Sequence, residues 1–81
     1  MITLHVYLRT YCHLCHDLLS KLAPYQQQYD LHIKQIDIDN DLLLEEQYGT
    51  LIPVLTDANN QEICHYFLDD AALTDYLSKI R

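Results

Sequence analysis

The stretch Thr10-Tyr11-Cys12-His13-Leu14-Cys15-His16-Asp17 packs two thiols and two imidazoles into eight residues. Three chemistries use such a string. C-x-x-C-H is the attachment sequence of a c-type haem, C-x-x-C is half of a zinc site, and C-x-x-C at the end of a strand is a redox dithiol. A covalent haem would need a porphyrin-sized pocket, an export route and a distal ligand, and the only methionine is Met1. Zinc asks for four ligands, usually in two separated pairs, and Cys64-His65 is the one available second pair. Neighbours on a strand point to opposite faces, so those two could not both turn to one metal without a local break. Cys64 then reads as a small buried hydrophobe and His65 as its polar neighbour.

The redox reading uses position as well as spacing. With Cys12 at the first turn of a helix, free backbone N–H groups and the positive end of the macrodipole stabilise its thiolate, the form that attacks disulfides. Cys15, one turn on, has fewer such donors and is suited to resolve the mixed disulfide that Cys12 forms. His13, between the cysteines, can lower the Cys12 pKa further when charged. His16 reads as a surface histidine.

The elements that must hold this string can be read from hydrophobic period. Ile2, Leu4, Val6 and Leu8 alternate with polar or amphipathic residues, which predicts a strand over 2–8 ending just before the dithiol. Leu14, Leu18, Leu22, Tyr25 and Tyr29 then recur at helical spacing. Pro24 lacks an N–H and crowds the preceding turn, so the expectation is a kink there, or a stop near Ala23 and a looser restart. Residues 31–38 form a second strand. Asp39-Asn40-Asp41 supplies caps for a short helix over Leu42 to Tyr48, with Gly49 expected at a positive φ just beyond it. Residues 53–56 and 62–66 flank Asp57-Ala58-Asn59-Asn60-Gln61 as a hairpin, its left-handed positions suiting Asn. Asp69 or Asp70 caps a last helix that buries Leu73, Tyr76, Leu77 and Ile80, with Lys79 and Arg81 complementing its C-terminal end.

This βαβαββα order implies an α/β fold: a parallel pair joined by a helical crossover, then an antiparallel hairpin, in one mixed four-stranded sheet flanked by helices. The 81 residues, 49% apolar, suffice for a single domain over 1–81. Twelve acidic against five basic residues give a net charge of −7, opposite to the footprint of a nucleic-acid or anionic-membrane binder. The longest apolar runs fall far short of the roughly 20 residues of a membrane span. The alternating N-terminus lacks a secretory h-region, and three cysteines are not a spread-out disulfide scaffold, so the expected compartment is the cytoplasm.

Leu8-Arg9-Thr10-Tyr11-Cys12-His13-Leu14-Cys15-His16 after a first strand resembles the active-site segment of glutaredoxins, where a basic residue stands three before the first cysteine and a histidine often follows the second. Thr50-Leu51-Ile52-Pro53 resembles the Thr-Val-Pro segment that glutaredoxins share with thioredoxins. The element order covers the whole chain and matches the minimal glutaredoxin-like, thioredoxin-like fold. The chain is most similar to a small bacterial glutaredoxin-like group with a C-x-L-C pair.

That resemblance implies a thiol-disulfide oxidoreductase acting on protein or glutathione mixed disulfides. No bound cofactor is implied, and glutathione or a disulfide reductase would recycle the pair. Pro53 would be cis and face the cysteines, leaving the backbone of Ile52 to pair with an extended substrate. Tyr11, His13 and Leu14 would line the site, and Arg9 would attract a carboxylate. The Gly-Gly pair that glutaredoxins place before an aspartate is replaced here by Tyr66-Phe67-Leu68, ahead of Asp69-Asp70. Either aspartate could receive the γ-glutamyl ammonium, while the aromatic residues narrow the groove and favour protein disulfides. A module of another class, holding a metal or iron–sulfur cluster through the cysteines, is the alternative.

Overall fold

The structure, a computed structural model, describes residues 2–80. Its elements are β1 (Ile2–Leu8), α1 (His13–Tyr29), β2 (Leu31–Asp37), α2 (Leu42–Tyr48), β3 (Val54–Asp57), β4 (Glu62–His65) and α3 (Asp70–Lys79). The sheet runs β2-β1-β3-β4, with β1 parallel to β2 and antiparallel to β3, and β3 antiparallel to β4.

Alternation along β1 sends Leu4, Val6 and Leu8 to one face and Tyr7 to the other. The first face joins Leu18 and Leu22 of α1, Leu55 of β3 and Leu73 and Leu77 of α3 in the larger core. On the second, Tyr7 packs with Ile38, Tyr48 and Val54 beneath α2. The rings of Tyr7 and Tyr48 stack with centroids 4.2 Å apart, and the Tyr7 hydroxyl donates to Asn60 Oδ1 at 2.6 Å.

Pro24 does not end α1: the helix runs unbroken to Tyr29. Pro24 and Ser20, whose carbonyl loses its partner, are both exposed, so water can satisfy that carbonyl while Leu22, Tyr25 and Tyr29 hold the other side against the core. Cys15, rather than Leu14, leads the buried stripe, since Leu14 is only half-buried. Asp30, at φ 55°, terminates the helix.

Asp41 caps α2 by accepting from the N–H groups of Leu43 and Leu44, both at 3.1 Å. Gly49 departs from expectation, being right-handed at φ −55°. Glycine is needed there because a Cβ would collide with the Glu45 carbonyl oxygen. In the hairpin, Asn60 takes the left-handed position at φ 64°, and Asp57 Oδ1 accepts from the N–H groups of Asn59 and Gln61. The register shifts between Leu55 and Thr56, which leaves Ile63 as the extra residue of a bulge.

Asp69 caps α3 through Ala72 N at 3.0 Å, and Leu73 and Leu77 are fully buried. Ile80, expected in the core, lies past the last helical residue and is 45% exposed. Met1 and Arg81, the latter expected at this helix end, lie outside the described residues. Among those residues no helix is long and apolar enough to cross a membrane.

Candidate functional site

Register decides which segments share one end of the sheet. Leu8 pairs with Asp37 and Tyr7 with Val54, while Val54 also pairs with His65. The end of β1, the end of β2, the start of β3 and the end of β4 therefore emerge together. Cys12 and Tyr66 follow those strand ends, Pro53 precedes one and Asp69 lies four residues beyond another, so segments spread over most of the chain emerge at the end of the sheet that carries the dithiol.

Cys12 is the N-cap of α1, with φ −125° and ψ 110°, and its Sγ accepts from the Cys15 N–H at 3.2 Å. A sulfur thus takes the place of the usual capping oxygen, and negative charge on it lies against unsatisfied helix N–H groups. Cys12 and Cys15 are bonded as a disulfide with Cα atoms 5.2 Å apart. Cys12 is half-buried, whereas Cys15 is 1% exposed at the edge of the larger core. An incoming thiolate therefore reaches Cys12 first, and Cys15 stays sheltered.

Tyr11 is wholly exposed and His13 is exposed beside the pair. The Ile52–Pro53 bond is cis; Pro53 is buried and Ile52 half-buried. Arg9 is turned toward α2, where its guanidinium donates to Asp39 at 2.7 Å and Glu45 at 3.3 Å. Asp69 is engaged as the α3 cap, and Asp70 accepts from the Tyr25 hydroxyl at 2.6 Å. That bond is the main cause of an upward shift in the Tyr25 pKa. Tyr66 stands at φ 64°, a left-handed position for a residue with a Cβ, and its hydroxyl donates to the Thr50 carbonyl at 2.8 Å. Its ring thus bridges the strand end to the segment before Pro53. Phe67 beside it is 60% exposed.

Several contacts at this end went unread in the sequence. Thr10 Oγ1 donates to Asp37 Oδ2 at 3.1 Å, and His16 Nε2 donates to the Thr10 carbonyl at 3.1 Å. Only the parallel register of β1 and β2, which brings Leu8 opposite Asp37, could have signalled the first. Cys64 is buried in the larger core, where desolvation raises its thiol pKa, while His65 turns away to Glu62 Oε2 at 2.7 Å. Among the described residues no three His, Cys, Asp or Glu side chains come together as a set of metal ligands.

The model of a glutaredoxin-like domain family (DUF836) matches residues 3–78. No curated protein sequence matches. Among solved structures, protein Ne2328 from Nitrosomonas europaea is 34% identical, with a TM-score of 0.84 over 93% of this chain and 89% of its own. Protein XcR50 from X. campestris is 33% identical, with a TM-score of 0.75 over 94% of this chain and 96% of its own. The germline-specific thioredoxin Deadhead from Drosophila melanogaster, 21% identical, has a TM-score of 0.60 over 99% of this chain and 81% of its own, a likeness of fold alone. A sulfur-capped helix carrying an adjacent cysteine pair, set on this sheet, suggests an oxidoreductase, and by sequence and architecture alike the chain belongs to the glutaredoxin-like domain family with a thioredoxin-like fold.

Proposed function

We propose that the protein is a thiol-disulfide oxidoreductase that reduces disulfides of proteins. The observation that carries this reading is the unequal environment of the two thiols. Cys12 caps a helix at the accessible end of the sheet, and Cys15 lies covered within bonding distance. Attack by the Cys12 thiolate forms a mixed disulfide. Cys15 displaces the substrate thiol, and the resulting protein disulfide is returned to the dithiol by glutathione or a reductase. The reducing cytoplasm suits such a cycle.

Protein disulfides are favoured over glutathione because the groups that would hold the tripeptide are committed elsewhere. Arg9 serves Asp39 and Glu45, Asp69 serves the helix cap, Asp70 serves Tyr25, and Tyr66 spans to Thr50. An extended substrate would instead lie along Ile52 and Pro53, with Tyr11, His13 and Leu14 beside it.

The test is Cys15→Ser, which should trap mixed disulfides with proteins and show little glutathione-dependent deglutathionylation. Robust glutathione turnover by this variant, lost on Asp69→Ala, would reverse the substrate assignment. Equal alkylation rates of Cys12, Cys15 and Cys64 in the reduced protein would overturn the oxidoreductase reading itself.

A further inference from the structure

The backbone of Tyr66 takes a conformation that its side chain disfavours. Its φ is 64°, and the Phe67 N–H donates to the His65 carbonyl at 2.7 Å, so Tyr66 is the central residue of a three-residue turn of the rarer, positive-φ kind. A bulky residue keeps such a backbone only where surrounding contacts fix it. Glycine would make the same turn freely. The turn by itself therefore does not account for a tyrosine.

What the tyrosine adds is a hold on the segment that leads into β3. Its N–H donates to the Pro53 carbonyl at 2.9 Å and its hydroxyl to the Thr50 carbonyl at 2.8 Å, so one residue grips residues 50–53 at both ends. The His65 ring meets the Tyr66 ring edge to face at 4.7 Å and steadies it. Between the two grips the Leu51 N–H donates to the Tyr48 carbonyl at 2.8 Å, and the Ile52 side chain packs against both the larger and the smaller core. The N–H and the carbonyl of Ile52 have no hydrogen-bond partner among the described residues. A donor and an acceptor on one residue, held in place by its neighbours and unused by the fold, match the backbone of an extended polypeptide.

We infer that Tyr66 is a positioning residue for peptide substrates: by gripping residues 50–53 at both ends it holds the free backbone groups of Ile52 ready to pair with an extended chain, an inference that rests on the oxidoreductase reading above. Its effect is one of specificity. A disulfide carried on a polypeptide gains from the pairing, whereas a small disulfide without a peptide backbone gains nothing.

The test uses an extended peptide whose single cysteine is joined to an aromatic thiol. The Cys12 thiolate attacks the peptide sulfur and the aromatic thiolate leaves with the electron pair of the broken bond, its colour reporting the rate, while Cys12 and the peptide remain joined as a mixed disulfide. A simple aromatic disulfide serves as the reference, and the quantity read is the ratio of the peptide rate to the reference rate in the reduced protein. Tyr66→Phe keeps the ring and loses only the bond to Thr50, and it should lower that ratio about fivefold, the worth of one ordinary hydrogen bond. Tyr66→Gly should lower it at least as far, although its backbone is free of strain. A peptide methylated at the backbone nitrogens flanking its cysteine should give a reduced ratio in the parent and the same ratio in Tyr66→Phe. An unchanged ratio in Tyr66→Phe would overturn the positioning role, and so would a raised ratio in Tyr66→Gly, which would make Tyr66 an obstruction only. A parent that does not distinguish the methylated peptide would overturn the role through its premise, pairing at Ile52. A parent whose Cys12 reacts no faster than a free cysteine with either disulfide would instead overturn the oxidoreductase reading.

Discussion

Among the described residues, eleven buried ones, nine of them aliphatic and two cysteine, make up the core between the sheet and α1 with α3; on the opposite face four, two of them tyrosines, cluster beneath α2. The large side excludes water from Cys15 and fixes α1, whose first turn carries the chemistry. The small side ends in hydroxyls, carboxylates and Arg9, groups that keep contact with solvent. The dithiol sits at the seam, with its sheltered sulfur on the thick side and Arg9 and Ile52 reaching toward the thin one. Rigidity and accessibility are thus divided between the two faces of one sheet.

If that division holds, the heaviest loss should come from the thick side. Leu22→Ala, at a fully buried position, should cost about 2–5 kcal/mol in urea unfolding followed by circular dichroism. Leu44, half-buried on the thin side, should cost less than about 2 kcal/mol on change to Ala, because fewer atoms leave a closed core. Equal losses would erase the distinction. Arg9→Ala, at the seam, should cost about 1 kcal/mol or less, since its ion pairs are a third or more exposed, and should leave whatever glutathione turnover the parent shows unchanged. A fall in that turnover would mean that Arg9 serves a ligand as well as α2.

The smallest effect is one of pH, and it samples both faces. Burial raises the pKa of Cys64 above its ordinary value of 9.0 and those of Tyr7 and Tyr76 above 10.0. For Tyr25 the hydrogen bond to Asp70 is the larger cause. The folded state therefore favours the protonated form of each. That stabilisation is complete below the unfolded values and disappears as pH rises through the folded ones. The thermal midpoint should decline from about pH 9 upward, and Cys64→Ala should flatten the first part of the decline. A midpoint constant to pH 11 or so would deny the shifts on both faces.

Element order, strand pairing and the cysteines were legible because each rests on a local period or a short motif. Where the sequence misled, a tertiary neighbour had decided the matter. Pro24 reads as a break until Leu22, Tyr25 and Tyr29 are seen holding the helix on its other side. Gly49 reads as a left-handed cap, yet it answers to a carbonyl pressed close to its Cα. Arg9 reads as a free cation because Asp39 and Glu45, 30 and 36 residues away, become its partners only after β2 is laid beside β1. Cys12 as a helix cap was half legible, since its place was evident but sulfur is not among the usual capping groups. Tyr66 stands where the resemblance puts a glycine pair, yet its side chain was read only as narrowing the groove, and its left-handed backbone, ordinarily a glycine's, went unread.

The outer strands carry a consequence for how copies of the chain meet one another. β2 offers seven residues of open edge, on which His32, Lys34, Gln35 and Asp37 are exposed. β4 offers four, interrupted by the extra residue Ile63. A long edge studded with charge and a short edge bent by a bulge are both poor templates for a foreign strand. Crowded copies, each already carrying the same net negative charge, are thereby discouraged from zipping side to side into extended sheets.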